Sequence, residues 1–236
     1  SLLHKKHTRE ELIDLLGEDI LSRYRVLSHE VDKKYLTRYG CTKRKVPIVL
    51  DKRIGEYDLV MTIGVIEPHL YAGYSGGAKT VAIGLAGEET ISATHSLAFL
   101  DDTMTRIGSI VRNPFQDTLW EIVKNINIPF SVNIVNDQEG NALKIFSGTP
   151  DKVYRQGVSY AKNIFEVKVK AAADIVICGI GNPKDINLYQ ASRALNYILN
   201  VDQPILKTGG ILIVVCSLER GIGDGVTEKR FYSMLS

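Results

Sequence analysis

Two uninterrupted apolar stretches in the last third of the chain restrict its fold more than any other feature. Asp174–Ile180 and Gly210–Cys216 are rich in isoleucine and valine, and Leu188–Leu199 between them has the composition of a helix. Strands that are apolar along their whole length are typical of parallel sheets covered on both faces, and parallel strands need a crossover connection of this kind. The pattern predicts a parallel, Rossmann-like βαβ unit.

The residues before this unit mix helix and strand signals without a repeat. A capping box at Thr8–Glu11 starts the first predicted helix, and Asn-Pro and Thr-Pro pairs start two later ones. In chain order, the further predicted elements are a helix within Glu30–Tyr39, strands at Val46–Leu50 and Tyr57–Val65, a helix at Glu88–Leu100, a helix from Asn113 to about Asn125, a hairpin of Pro129–Asn136 with Ala142–Phe146, and a helix from Thr149 to about Phe165.

These elements predict an α/β protein of two domains. Residues 1–165 are expected to form a mixed α/β domain, and residues 172–236 part of a Rossmann-like parallel-sheet domain. Ligands of open α/β sheets bind at the carboxyl ends of the strands. We therefore expect the active site in the cleft between the two domains.

The amino-acid composition bears on which kinds of molecule the protein can be expected to bind. The 236 residues are 44% hydrophobic and 24% charged, and 29 basic residues nearly balance 27 acidic ones. This balance gives no reason to expect nucleic acid or an anionic membrane as a partner. No apolar run approaches the roughly 20 residues of a membrane span, and the first residues do not form a secretion signal. We expect a cytoplasmic protein.

The stretch Gly64–Ser96 contains the main candidate functional residues, because a lysine there follows a glycine-rich run. Lys79 ends the sequence Gly73-Tyr-Ser75-Gly76-Gly77-Ala-Lys. This run differs by one residue from a phosphate-binding P-loop, but no Walker B strand follows. A lysine desolvated in such a loop could instead serve as a nucleophile that holds a covalent group. A third alternative is a solvated loop lysine without a special role.

Two of the five histidines flank this lysine. His69 follows Glu67-Pro68 at the expected end of a strand, where a general base or a metal ligand would stand. His95 lies among small residues within the predicted helix, so it could be a ligand or a packed side chain. The sequence has no H-E-x-x-H or C-x-x-C motif, and a metal site built from these residues alone would be poor in histidine.

A second candidate segment follows the strand at Asp174–Ile180. Tyr189, Gln190 and Arg193 lie at the start of the predicted helix Leu188–Leu199, and Tyr189 and Arg193 share one face. Arginine can bind a carboxylate through two hydrogen bonds. The alternative is an ordinary exposed helix start.

Taken together, these motifs resemble the nickel-pincer-nucleotide-dependent lactate racemases and related 2-hydroxy acid racemases and epimerases. Three segments carry the resemblance: Leu3-His4-Lys-Lys-His-Thr8, the signature Ile66-Glu-Pro-His69 through Lys79, and Tyr189-Gln190-x-x-Arg193. His95 falls at the matching distance from the signature. The resemblance runs through nearly the whole chain but covers only part of a family member, so we expect a fragment that lacks N-terminal and C-terminal portions.

The resemblance implies a cofactor and a role for each residue. The cofactor would be a nickel-pincer nucleotide, a pyridinium dithiocarboxylic acid mononucleotide of Ni(II), attached covalently to Lys79 in the loop of Gly73, Ser75, Gly76 and Gly77. His95 would bind nickel, and His4 and His69 would act as general acid and base on opposite faces of the substrate. Tyr189, Gln190 and Arg193 would bind it. Hydride transfer to the cofactor and back would then racemise a 2-hydroxy acid.

The resemblance also sets expectations for substrate and partners. Lys5 and Arg193 replace an arginine and a lysine of the family pattern, which puts lactate itself in doubt as the substrate, because the two cations differ in geometry. Cofactor-biosynthesis proteins are expected partners, and an oligomer is compatible with the sequence. The competing prediction is a phosphate- or nucleotide-binding module that uses residues 73–80 without racemase chemistry.

Overall fold

The computed structural model describes residues 6–235 except 125, 183 and 202, and it describes no side chain for 226 and 227. His4 therefore lies outside the described residues. Among the helices of this described part, none is long and apolar enough to cross a membrane.

The structure is a mixed α/β fold, as predicted. Its helices are α1 Arg9–Leu16, α2 Glu18–Arg23, α3 Lys79–Ala82, α4 Glu88–Thr94, α5 Leu97–Leu100, α6 Pro114–Lys124, α7 Pro150–Phe165, α8 Leu188–Leu199 and α9 Val226–Leu235. Its strands are β1 Leu36–Cys41, β2 Pro47–Asp51, β3 Met61–Val65, β4 Pro68–His69, β5 Gly73–Tyr74, β6 Phe130–Asn136, β7 Ala142–Gly148, β8 Ala173–Gly179 and β9 Leu206–Val215.

A three-stranded sheet supports the glycine-rich loop. β3 runs parallel to β6, with Gly64 opposite Asn133, and β6 pairs antiparallel with β7 as the hairpin prediction required. α7 covers this sheet, and Ile66, Tyr74, Val135 and Tyr154 form the buried contact between them. A larger cluster, contributed mainly by β2, α3 and α6, buries the other side of the loop.

The helix predicted within Glu30–Tyr39 is present only as one short 3₁₀ turn. Residues 33–35 make a single 3₁₀ turn, and β1 then pairs with β2. His29 holds this segment to the core: its ring nitrogens contact Asp51 Oδ2 and the Ala86 carbonyl, each at 3.0 Å. Burial alone would raise the pKa of Asp51, but hydrogen bonds from Arg53 and His29 outweigh burial and lower it to about 2. Because these tertiary contacts outweigh local helix propensity, the segment stays extended.

The C-terminal strands are parallel, as predicted, and α8 lies between them in sequence. The described residues do not cover both faces of this pair. Apolar side chains of both strands are exposed, among them Ile175, Ile177, Ile211 and Val215. The parallel pairing itself is the one that continuous apolar strands indicate.

Candidate functional site

The short β4–β5 hairpin places His69 directly beside the glycine-rich loop. β3 ends at Val65, and Pro68 and His69 pair with Tyr74 and Gly73. We predicted that His69 lies on a loop at the end of a strand. In the structure it lies in the two-residue strand β4 of this hairpin, shortly after the end of β3. The hairpin turn also folds back onto the ring, because the backbone N–H groups of Tyr71 and Ala72 donate to His69 Nδ1 at 3.3 and 3.2 Å.

These two bonds define the neutral form of His69. Because Nδ1 accepts hydrogen bonds, the neutral ring carries its proton on Nε2. Burial, followed by the positive charges of Lys79, His95 and Arg193, lowers the pKa of His69 to about 3. The ring is therefore neutral at physiological pH and presents an N–H donor.

His95 is the opposite tautomer of His69, with its proton on Nδ1. The helix predicted through Glu88–Leu100 breaks at this residue, which ends α4, and its Nδ1 lies 2.9 Å from the Ile91 carbonyl. A carbonyl can only accept, so Nδ1 carries the proton and Nε2 keeps its lone pair. Burial lowers the pKa of His95 despite the opposing bond to Ile91. Such a backbone-anchored neutral imidazole is the usual form of a metal-binding histidine.

Tyr71 contacts both histidines, and apart from its place in the signature nothing in the sequence indicates this contact. Its ring meets His69 edge-on at 6.2 Å between centroids and His95 at 5.8 Å. Phe115 packs against both His95, at 5.2 Å between centroids, and Tyr71, at 6.1 Å. The aromatic contacts keep both imidazoles in fixed orientations within one partly buried cluster.

Lys79 begins α3 and is partly buried next to these rings. Burial lowers the pKa of its ammonium; the carboxylate of Glu67 opposes this effect and the guanidinium of Arg193 adds to it. A lysine with a lowered pKa exposes more neutral, nucleophilic amine at physiological pH.

The glycines of the loop allow the protein itself to approach closely. A Cβ on Gly73 would lie 2.0 Å from the Ser109 carbonyl oxygen, and one on Gly77 2.6 Å from the Tyr154 ring. Ser75 uses its hydroxyl within the protein: it donates to the Val65 carbonyl at 2.7 Å and accepts from Glu67 N at 3.1 Å. In this structure the predicted cofactor-binding residues thus shape the loop, and their contact with a cofactor stays a prediction.

The second candidate segment reaches the same site. Asn187 caps α8, its side chain accepting from Gln190 N at 2.9 Å, and the Arg193 guanidinium lies 5.9 Å from the centre of the Tyr189 ring. The charge of Arg193 lowers the pKa of His69, Lys79 and His95, so Arg193 acts on the cluster electrostatically. No described contact attaches Tyr189 or Gln190 to it.

A cleft of about 610 Å³ opens beside Glu67. It is lined by residues that follow β3, β6 and β8, including Glu67, Asp137 and Lys184. These are the carboxyl ends of parallel strands, where ligands of α/β proteins bind. Within the described residues, no three histidine, cysteine or carboxylate side chains gather into a metal-binding group.

Fold and site together define a mixed α/β protein in which a partly buried lysine acts electrostatically on two anchored histidines. Residues 2–108 match the lactate racemase N-terminal domain. The chain is 28% identical to the lactate racemase of Lactiplantibacillus plantarum over 99% of its own length and 53% of that protein. It is 27% identical to the lactate racemase of Thermoanaerobacterium thermosaccharolyticum, over 93% of this chain and 51% of that protein.

Solved structures agree with these matches. The lactate racemase apoprotein from Thermoanaerobacterium thermosaccharolyticum superposes with a TM-score of 0.88 at 27% identity, covering 98% of this chain and 54% of that one. A Thermotoga maritima protein shares the fold, with a TM-score of 0.70 at 20% identity over 89% of this chain and 55% of that one. The comparisons confirm the predicted resemblance to lactate racemases, and the chain spans about half the length of the curated relatives it matches.

Proposed function

We propose that this chain carries the cofactor-attachment and proton-transfer site of a racemase or epimerase of 2-hydroxy acids. The observation that carries the proposal is the position of Lys79, a partly buried amine with a lowered pKa beside two histidines of opposite tautomeric form. The names of the similar proteins support racemase chemistry.

The residues present fit a nickel-pincer nucleotide attached to lysine. His95 offers one nitrogen lone pair, because its other nitrogen is engaged by the Ile91 carbonyl. One histidine is too few to hold a metal alone, but it suffices where an organic group bound to Lys79 supplies the other ligands. When bound, that group would accept a hydride from the substrate carbon and return it to either face.

The chain's own residues would then control the proton and the substrate. Arg193 supplies a guanidinium suited to the carboxylate of a 2-hydroxy acid. His69 would exchange a proton with the substrate oxygen through Nε2. Its neutral form is a donor there, so accepting a proton at Nε2 requires the ring to move its own proton to Nδ1 and release the amides of Tyr71 and Ala72. Proton uptake by His69 is therefore coupled to the hairpin turn, and His4 is the proposed second acid–base group.

The competing phosphate-binding module is less well supported. Backbone N–H groups of a phosphate-binding loop must point at the ligand. Here the amides of Ser75, Gly77, Lys79 and Thr80 donate to acceptors of the protein itself. Few donors of this loop remain for a phosphate.

Covalent loading of Lys79 tests the proposal. The chain would be expressed with the enzymes that make the nickel-pincer nucleotide, both as it is and within a full-length protein, and analysed by intact mass. We expect an added mass that Lys79→Arg abolishes and that Lys152→Arg, a change in α7 outside the loop, leaves in place. An unmodified mass in both contexts, with a loaded lactate racemase as the positive control, would contradict the proposal.

A loaded full-length protein allows the chemistry itself to be tested. His69→Gln should retain the adduct while lowering the racemisation rate by about 10²-fold or more, the usual scale of general acid–base catalysis. Interconversion of the enantiomers of several 2-hydroxy acids would be followed by chiral chromatography. Activity within about twofold of the unchanged protein would remove His69 from the mechanism.

A further inference from the structure

A buried chain of polar side chains runs beneath the glycine-rich loop and ends on its backbone. Thr62 Oγ1 donates to Ser131 Oγ at 2.8 Å, and Asn133 Nδ2 donates to the same oxygen at 3.0 Å. The other end of the Asn133 amide, Oδ1, accepts from Gly77 N at 3.1 Å. Asn133 and Ser131 are each 1% exposed, so this polar chain is closed to water.

Burial of an amide side chain is costly unless it bonds to specific partners. β6 otherwise follows the alternation of a sheet, and an apolar residue at position 133 would pack against the loop without that cost. The polar residue instead provides the one side-chain acceptor for the Gly77 amide, two residues before Lys79. This amide would otherwise be buried without a partner.

The glycines around Asn133 are explained by the same contact. A Cβ on Gly76 would lie 2.6 Å from Asn133 Oδ1. Gly64 stands opposite Asn133 in the neighbouring strand, and a Cβ there would lie 2.9 Å from Thr80 Oγ1 and 3.7 Å from Asn133 Oδ1. The bare backbone at both glycines lets the loop descend onto the sheet until Gly77 reaches the amide oxygen.

We infer that Asn133 is a positioning residue, whose side-chain oxygen fixes the Gly77 turn and thereby holds Lys79 in its desolvated position next to His69 and His95. The inference deepens the proposed function, since it concerns the lysine to which the cofactor would attach. It assigns a role to a β6 residue that lies outside the signature of residues 66–79.

The test measures the amine directly and needs no cofactor. Reductive methylation with formaldehyde, followed by peptide mass spectrometry, gives the pH midpoint at which each lysine becomes reactive. Lys79 should react with a lower midpoint than exposed lysines in the same sample. In Asn133→Ala the midpoint should rise toward that of the exposed lysines, and each unit of rise means about a tenfold loss of neutral amine at a given pH below the midpoint.

A matched variant separates positioning from general stability. Ser131→Ala removes the hydroxyl shared by Thr62 and Asn133 but leaves the bond from Gly77 to Asn133 Oδ1. Both variants should unfold at lower temperature, whereas only Asn133→Ala should shift the Lys79 midpoint. An unchanged midpoint in folded Asn133→Ala, or an equal shift in Ser131→Ala, would overturn the inference.

A measurement on the unchanged protein covers the case in which Asn133→Ala does not fold. If Asn133 binds the Gly77 amide, this amide should exchange with deuterium at least about 100-fold more slowly than an unstructured amide, and exchange at the unstructured rate would overturn the inference. Since none of these readouts involves the nucleotide, failure of Lys79 to load would contradict the racemase proposal and leave this one intact.

Discussion

At the scale of single residues, burial lowers the pKa of Lys79 most, and two side chains of opposite charge modify this shift. Glu67 raises the pKa of the Lys79 ammonium, and Arg193 lowers it. Glu67 is exposed at the edge of the cleft, whereas Arg193 comes from α8, more than 100 positions further along the chain. Burial acts in the same direction as Arg193 and outweighs Glu67, so the net shift is downward.

Because Glu67 and Arg193 shift the pKa of Lys79 in opposite directions, removing each charge should have opposite effects. Glu67→Gln removes the negative charge and should lower the pKa of Lys79 further. Arg193→Gln removes the positive charge and should raise it. Glu67→Gln keeps the shape of the side chain and Arg193→Gln shortens it, but each removes one charge, so the two variants should shift the Lys79 midpoint in opposite directions.

The pH dependence of Lys79 methylation, compared with an exposed lysine in the same sample, checks both variants. Lys144→Gln on β7 is a control for a change of net charge far from the loop and should not move the midpoint. Shifts of the same sign in both variants would show that the charges of Glu67 and Arg193 do not reach Lys79 as the structure requires.

Sequence alone predicted the residue types of the site better than their surroundings. Lys79, His69 and His95 stand out because lysine and histidine in a glycine-rich stretch are chemically conspicuous. Tyr71 and Asn133 do not stand out, since an aromatic residue after a histidine and an asparagine within a strand have many ordinary explanations. Their roles depend on tertiary contacts that bring residues 64, 77 and 133 together.

At the scale of elements, the backbone of the glycine-rich loop at Gly73 packs directly against the backbone of residues 108–109. Gly73 has φ of 75° and pairs with His69, while its carbonyl accepts from Gly108 N at 3.0 Å. The segment around Ser109 thus closes over the loop from above, as β3 and β6 support it from below. At Gly73 there is no room for a side chain between the loop and the Ser109 segment.

Gly73→Ala should therefore destabilise the protein more than backbone strain explains. Gly140, in the β6–β7 turn, has φ of 90° and nothing within 4 Å of a Cβ, so Gly140→Ala measures the strain alone, about 1 to 2 kcal/mol. At Gly73 the added methyl would meet the Ser109 carbonyl, and displacing this backbone should cost about 1 to 3 kcal/mol in addition.

Urea unfolding of both variants measures the difference in their free energies of unfolding. Equal losses would mean that the Ser109 segment yields freely and that the loop is not clamped. A larger loss for Gly73→Ala should be accompanied by faster amide exchange across residues 108–110.

Local signals located most elements but not all. α1, α6 and α7 begin at the caps that Thr8, Asn113 and Thr149 predict, because capping is encoded within a few residues. The single helix predicted over Glu88–Leu100 is two, since Thr94 and His95 turn back onto carbonyls of α4. The helix predicted before β1 was too long, because the conformation of this segment depends on the contact of His29 with Asp51, which no local sequence pattern reveals.

At the scale of the whole molecule, burial is distributed unevenly along the chain. The two hydrophobic clusters draw their buried residues from positions 46 to 161. Beyond Phe165, Ala191 is the single apolar side chain in the described part of the chain that is almost fully buried. Arg193 belongs to this thinly packed part, so the helix that carries it rests on few core contacts.

This asymmetry predicts two levels of protection against hydrogen exchange. β6 and β8 each have seven residues and a parallel partner, but β6 is also paired with β7 on its other edge, and Val135 of β6 is fully buried while Ile177 of β8 is 70% exposed. Opening a region costs free energy in proportion to the apolar surface that it exposes. We therefore expect amides of β8 and β9 to exchange at least about 100-fold faster than those of β6, a difference of about 3 kcal/mol in opening free energy.

Native-state exchange with peptide mass spectrometry measures both strands in one sample, and equal protection would mean that residues 173–235 unfold only together with the rest. If the two levels are found, a ligand that bridges Arg193 and Lys79 should slow exchange in β8 and β9 first, because it adds contacts where the chain has fewest.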